Sequence, residues 1–276
     1  MEQLFWLIPL GFAVGTFGTL IGAGGGFILV PVLLMVYPGK SPDTITSISL
    51  AVVFFNALSG SAAYARMRRI DYRSGLIFAP ATIPGSILGA FTISYVPRRL
   101  FDAVFGVLMA AASVFLILNP KRDEKDGIIP DNPPKGHIIR NITDIEGVNH
   151  VFSYNPAIGI VLSIFVGYLS SLLGIGGGII HVPALVHLLN FPVHIATATS
   201  HFILAIMSFS GSMVHLVKGT LSQGFFQTAA LAVGVLLGAQ LGAKLSNRIH
   251  GVWIIRGLAA ALGIAGIRIL LMAFMM

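Results

Sequence analysis

The sequence predicts an all-α membrane protein of about eight transmembrane segments in two homologous four-segment halves. Three observations carry this. Hydrophobic residues make up 55% of the chain and charged residues 10%, where a soluble domain carries about 25% charged; mean hydropathy is +0.89. Apolar stretches run at about 4–36, 44–65, 74–96 and 100–118, and again at about 155–190, 195–217, 224–245 and 252–276. The run LIGAGGGFILVP at 20–31 returns as LLGIGGGIIHVP at 172–183.

The first stretch of each half is too long for one ordinary crossing. Leu4 to Val36 would span about 50 Å as a helix, against a hydrocarbon core of about 30 Å. Four glycines in five residues, Gly22 and Gly24–Gly26, break it, because glycine costs about 1 kcal/mol relative to alanine inside a helix. The break permits two paths. A hairpin that returns to its own side gives each half an odd number of passes and inverts the halves. A single broken crossing makes them parallel. Counting Lys and Arg on each side barely separates the two, and length favours the hairpin.

The later stretches repeat as well. Gly15, Gly22, Gly24–Gly26, Val30 and Pro31 match Gly167, Gly174, Gly176–Gly178, Val182 and Pro183 at one offset. Ser59-Gly60-Ser61 matches Ser210-Gly211-Ser212, and Gly85, Gly89 and Ala90 match Gly234, Gly238 and Ala239. Glycine-interrupted apolar segments at corresponding places are the mark of a secondary transporter. The chain divides into a first membrane repeat at 1–118, a polar linker at 119–154 and a second repeat at 155–276. The linker, rich in Pro, Gly and mixed charge, reads as a solvated connection.

The net charge of +7 is no nucleic-acid footprint. Basic residues gather at Arg66, Arg68, Arg69 and Arg73, at Lys121, Arg122, Lys125, Lys135 and Arg140, and at Lys218, beside apolar spans. That pattern is the positive-inside bias. It places the 66–73 loop and the linker in the cytoplasm of a multi-pass cell-membrane protein. The start lacks the basic region and cleavage site of a signal peptide and reads as part of the first membrane segment. The chain has no Cys, which excludes thiol chemistry and Cys-ligated metals.

A glycine break frees backbone N–H groups, and the helix that follows presents the positive end of its dipole. Gly24, Gly25, Gly26 and Phe27, facing Gly176, Gly177, Gly178 and Ile179, would form a two-sided cradle for a compact anion. The alternative is that the glycines only allow close helix packing. GAGGG lacks the GxGxxG spacing and acidic partner of a nucleotide site, and SFSGS at 208–212 is not GxSxG. No enzymatic activity and no cofactor are expected.

The candidate side chains at the substrate are Asn56, Ser200, His201 and His181. His201, Ser208 and His215 recur every seven residues and share one helix face. The histidines 181, 187, 194, 201 and 215 also allow a divalent metal-cation carrier. No two stand at i,i+4, however, and no intramembrane carboxylate lies among them. Arg256 and Arg268 lie on the last apolar stretch, as interfacial residues or, for Arg256, as a counter-charge.

The glycine clusters in context, GTFGTLIGAGGGFILVPVLL (15–34) and GYLSSLLGIGGGIIHVPALV (167–186), resemble the sulfite exporter TauE/SafE family. So do the stretches 46–75 and 198–219. The resemblance implies a permease for a small anion such as sulfite or a sulfonate, driven by an ion gradient with proton or sodium as coupling ion. A non-transporting membrane assembly subunit is the third reading.

Overall fold

A computed structural model describes residues 5–118, 136–246, 248–249 and 251–275. Among these, six helical stretches are long and apolar enough to cross a membrane: Pro42–Arg66, Tyr72–Tyr95, Arg98–Leu118, Pro156–Leu173, Val193–Val217 and Leu221–Ser246. Shorter apolar helices stand beside them at Leu7–Ile21, Gly26–Val36 and Gly178–His187.

The shorter helices, with Pro156–Leu173, are the arms of the broken segments. Helix α1 (Leu7–Ile21) stops at Gly22, whose φ of +82° suits a residue without Cβ. Helix α2 (Gly26–Val36) starts after Gly25, also at φ +82°. The second copy follows the same plan. Helix α6 (Pro156–Leu173) ends at Gly174, φ +69°, and α7 (Gly178–His187) starts after Gly177, φ +73°. At about 1.5 Å per residue the arms α1, α2 and α7 fall short of the hydrocarbon core, while α6 comes close to its thickness.

Helix α3 (Pro42–Arg66) opens with Pro42 in its first turn and Ser41 as cap, accepting the Thr44 amide at 3.2 Å. Asp71 caps α4 (Tyr72–Thr92), and α5 (Arg98–Leu118) completes the first half. The second half continues with α8 (Val193–Val217), α9 (Phe225–Ser246) and α10 (Gly251–Met275).

Contacts between helices fix their directions. Gly60 packs on His201 and Gly211 on Leu50, so α3 and α8 run antiparallel. Ser113 of α5 donates to Ala259 O at 2.7 Å while Gly106 meets Leu270, so α5 and α10 also run antiparallel. Gly11 and Gly15 meet Leu231 and Val235 in rising order, so α1 runs parallel to α9. Gly224 lies against Ile48, and Ser59 donates to Leu236 O, so α9 runs parallel to α3. It follows that α1 and α3 point the same way, and α2 must carry the chain back between them. The chain folds back on itself at the first glycine loop. By the same contacts α6 follows α4, α4 follows α8, and α7 returns. Each half therefore lays its first helix along the fourth helix of the other half.

The pairing depends on backbone approach. A Cβ on Gly11 would stand 2.5 Å from Leu231 O, and one on Gly15 would stand 2.7 Å from Val235 Cα. Without glycine these helices would have to move apart.

The polar segment departs from a purely helical, solvated reading. Its part 119–135 lies outside the described residues. Strands β1 (Ile138–Thr143) and β2 (Asn149–Tyr154) form an antiparallel hairpin that pairs Ile138 with Tyr154 and Thr143 with Asn149. Half-buried and exposed residues alternate along β1, a period-2 signal diluted in the sequence by the surrounding Pro, Gly and charge. The hairpin is docked: Phe152 and Tyr154 pack on Phe191 with ring centroids 4.3 and 5.2 Å away.

Candidate functional site

The two glycine loops meet backbone to backbone. A Cβ on Gly26 would lie 2.6 Å from Gly174 O, and one on Gly178 would lie 2.6 Å from Ala23 Cα. Residues 21–27 and 173–179 are all buried. Val53 lies beside both Gly24 and Gly176, and Leu204 beside Gly24. Both residues sit near the midpoints of α3 and α8, so the loops stand at half height.

Left-handed φ angles at Gly22, Gly24 and Gly25, and at Gly174, Gly176 and Gly177, take the backbone out of the helical ladder. The first amides of α2 and α7 are left over. Among the described residues, the N–H groups of Gly25, Gly26, Phe27, Gly176, Gly177 and Ile179 donate to no backbone carbonyl. A buried amide without an acceptor costs free energy comparable to a lost hydrogen bond. Six such donors around the two helix starts make a local excess of positive potential.

Side chains add to the first loop. His201 Nε2 lies 3.2 Å from Thr19 Oγ1, which donates to Asn56 Oδ1 at 3.0 Å. Tyr64 donates to Thr19 O at 2.7 Å, and its ring meets the His201 imidazole edge-on. Ser200 donates to Gly22 O at 3.3 Å. Thr19, Asn56, Ser200 and His201 are fully buried, and Asn56 Nδ2 has no partner among the described residues. Beside the second loop, Ser170 Oγ is likewise buried without a partner, 2.5 Å from where a Cβ on Gly177 would stand.

The structure thus brings Asn56, Ser200 and His201 together at the Gly22 loop. His181 is not among them. Its Nε2 lies 3.2 Å from Ser163 Oγ on the neighbouring arm α6, and its imidazole is buried. Thr19, Tyr64 and Ser170 escaped the sequence reading. The repeat carried one clue, since Thr19 and Ser171 are hydroxyls at matched positions, each a turn ahead of its glycines.

The family model described as "Sulfite exporter TauE/SafE" matches residues 7–269. The chain belongs to this family. It is 35% identical to the probable membrane transporter protein YunE of Bacillus subtilis, over 88% of this chain and 89% of the relative. A probable membrane transporter protein of Methanocaldococcus jannaschii is 25% identical over 96% and 94% of the two chains. No solved structure matches. The chain is a multi-pass membrane protein of a transporter family, not an enzyme.

In this TauE/SafE protein the other histidines lie apart. His215 Nδ1 is 3.2 Å from Asp43 Oδ1, which also faces Lys218 Nζ at 3.3 Å. His187 packs edge-on against Phe115. No three His, Asp or Glu side chains gather to hold a metal among the described residues. Arg256 and Arg268 are exposed, and Arg256 lies over the Trp253 ring, 5.3 Å from its centroid, away from the glycine loops.

Proposed function

We propose that this protein is a secondary transporter of a small, sulfur-containing anion such as sulfite or a sulfonate, bound by backbone amides of the paired glycine loops. The carrying observation is the six buried N–H groups at 25, 26, 27, 176, 177 and 179 that donate to no backbone carbonyl. An anion satisfies several of them at once, and among the described residues no carboxylate contacts them. The charge-assisted hydrogen bonds it would make are roughly twice as strong as neutral ones. Asn56 Nδ2, Ser170 Oγ and His201 supply further donors, while Phe27 and Ile179 wall the site.

On this reading the halves are inverted in the membrane. The antiparallel pairing of α3 with α8, and of α5 with α10, supports it, because equivalent helices that cross one bilayer in opposite directions belong to opposite topologies. The loops touch at Gly26 and Gly174, so substrate entry separates them, and the hairpin arms rock apart about the α3–α8 pair. The Arg66–Arg73 turn and the linker mark the cytoplasmic face of the cell membrane. A proton or sodium gradient drives the cycle.

The test is flux into proteoliposomes. Sulfite, sulfoacetate and taurine are compared with Zn²⁺ and Ni²⁺, with thermal-shift measurements on the purified protein beside them. Saturable anion flux is expected. Metal flux, or no anion-dependent stabilisation and no flux at all, would overturn the reading.

A further inference from the structure

The β-hairpin 138–154 has no counterpart within either repeat, yet it is held by contacts that a passive connection does not need. Arg140 on β1 grips Asp71 with Nε 3.1 and 3.0 Å from the two carboxylate oxygens and Nη2 2.8 Å from Oδ1. The reciprocal pair runs from Arg69 to Asp144 at the hairpin tip, 3.3 Å, with Glu146 at 3.5 Å. Asp71, Arg69 and Asp144 are buried. Ile145 N donates to Met67 O at 3.1 Å, and Tyr154 OH lies 2.5 Å from Ser74 Oγ. The Arg140 bond to the Asp71 carboxylate raises the arginine's pKa above its ordinary value. The hairpin is clamped on the α3–α4 turn of the first half and, through Phe152 and Tyr154, on Phe191 of the second.

From Asp71 the contacts lead inward. Its amide donates to Thr199 Oγ1 at 3.0 Å. Thr199 is followed on α8 by Ser200, bonded to Gly22 O, and His201, bonded to Thr19. A short polar chain therefore joins the hairpin to the first glycine loop. The far end of the bundle is closed differently. There Lys218 and Asp43, each partly exposed, face each other with Ser94, and among the described residues no strand lies across them.

We propose that the hairpin is the cytoplasmic gate of the transporter. Docked, it ties the α3–α4 turn to the start of α8 and shuts the way from the Gly22 loop to that face; undocked, it lets the two halves part there. This rests on the transport reading above, but its first test does not need a substrate. Removing one partner of a buried pair strands the other charge and strongly favours release. Asp71 also caps α4, so the variant of choice is Arg140→Gln.

The chain has no Cys, so a single Ser200→Cys reports access to the loop. In inside-out vesicles, labelling of that thiol by a membrane-impermeant maleimide should rise at least about ten-fold when Arg140→Gln is added. Labelling from the opposite face should not change, and the protein should remain monodisperse. Equal rates with and without Arg140 would overturn the gate. A second variant closes it: Met67→Cys with Ile145→Cys, oxidised, should stop sulfite flux, and reduction should restore it. Flux unchanged by the crosslink would also overturn the gate. A protein that moves no sulfite but still gains labelling on Arg140→Gln would retain the gate and lose the substrate assignment.

Discussion

The two glycine loops share a backbone and differ in what surrounds it. Gly22, Gly24 and Gly25 repeat the left-handed angles of Gly174, Gly176 and Gly177 within about 15°. Around the first loop stand Thr19, Asn56, Tyr64 and His201. At the corresponding places around the second stand Ser171, Met207, His215 and Leu50. Ser171 bonds Ser86 at 2.7 Å, and Leu50 packs on Gly211 where His201 packs on Gly60. The two loops share what main-chain geometry supplies and differ in their side chains. On our proposal the shared amides give affinity for negative charge, and the one-sided polar cluster gives selectivity.

The largest effect should come from breaking the shared part. Gly25→Val and Gly177→Val should each abolish sulfite-induced thermal stabilisation in protein that still inserts. Each places a Cβ at φ +82° or +73°, a conformation that disfavours any L side chain by about 1–2 kcal/mol. Alanine should separate the copies. A Cβ at 25 meets Val14 O at 2.8 Å, which is backbone, whereas at 177 it meets Ser170 Oγ and the end of Met207, which can turn aside. Gly25→Ala should therefore lose more stability than Gly177→Ala. Wild-type sulfite affinity in either valine variant would reduce the glycines to packing.

Breaking the unshared part should cost less. His201→Ala removes a donor beside the first loop and should lower flux about ten-fold, the scale of one hydrogen bond to a charged group. Leu50→Ala, at the matched place by the second loop, should leave flux per folded molecule near wild type. His181→Ala should behave like Leu50→Ala, because its partner is Ser163. Equal losses from His201 and Leu50 would remove the side-chain difference from the argument.

The outer ends differ too, and pH probes that difference. Burial alone would raise the Asp144 pKa, but the Val148 and Glu146 amides, Arg69 and His150 outweigh it and hold it below the ordinary 3.8. A carboxyl depressed on docking stabilises the docked form above its free pKa and loses that contribution as pH falls through the docked value. Hairpin protection from proteolysis at 138–154 should thus hold from neutral pH to about 4 and weaken below 3.8. Asp144→Asn should show the loss at neutral pH, at about 1–3 kcal/mol of docking free energy. Protection indifferent to both would mean that the aromatic contacts alone hold the hairpin.

The glycine positions were legible because a main-chain requirement leaves a residue-type signature: no other side chain fits Gly22 or Gly174, and both copies show it. Broken first segments, apolar spans and clustered arginines were legible for the same kind of reason. Which polar side chains converge was not. His181 and His201 look alike in the sequence, and only the way α7 lies on α6 sends the first to Ser163, and the way α8 lies by α1 sends the second to Thr19. The hairpin was hidden because its strands are short and half-polar, and because its hold depends on Asp71 and Arg69, distant in sequence from Arg140 and Asp144.

The smallest effect tests an asymmetry between the loops that no hydrogen bond marks. Ser170 Oγ is buried without a partner among the described residues, one turn before Gly174, and its counterpart in the first half is Gly18. An unsatisfied hydroxyl in that place costs desolvation, so Ser170→Ala should leave stability unchanged or raise it by up to about 1 kcal/mol. If the hydroxyl is held open for the substrate, the same change should weaken sulfite binding about three- to ten-fold, the worth of one hydrogen bond. Opposite signs in melting temperature and in affinity are the expected pair, read by thermal shift with and without sulfite. A variant that is more stable and binds sulfite as wild type does would place the anion wholly on the backbone amides, and the two loops would then be equivalent in binding despite their different surroundings.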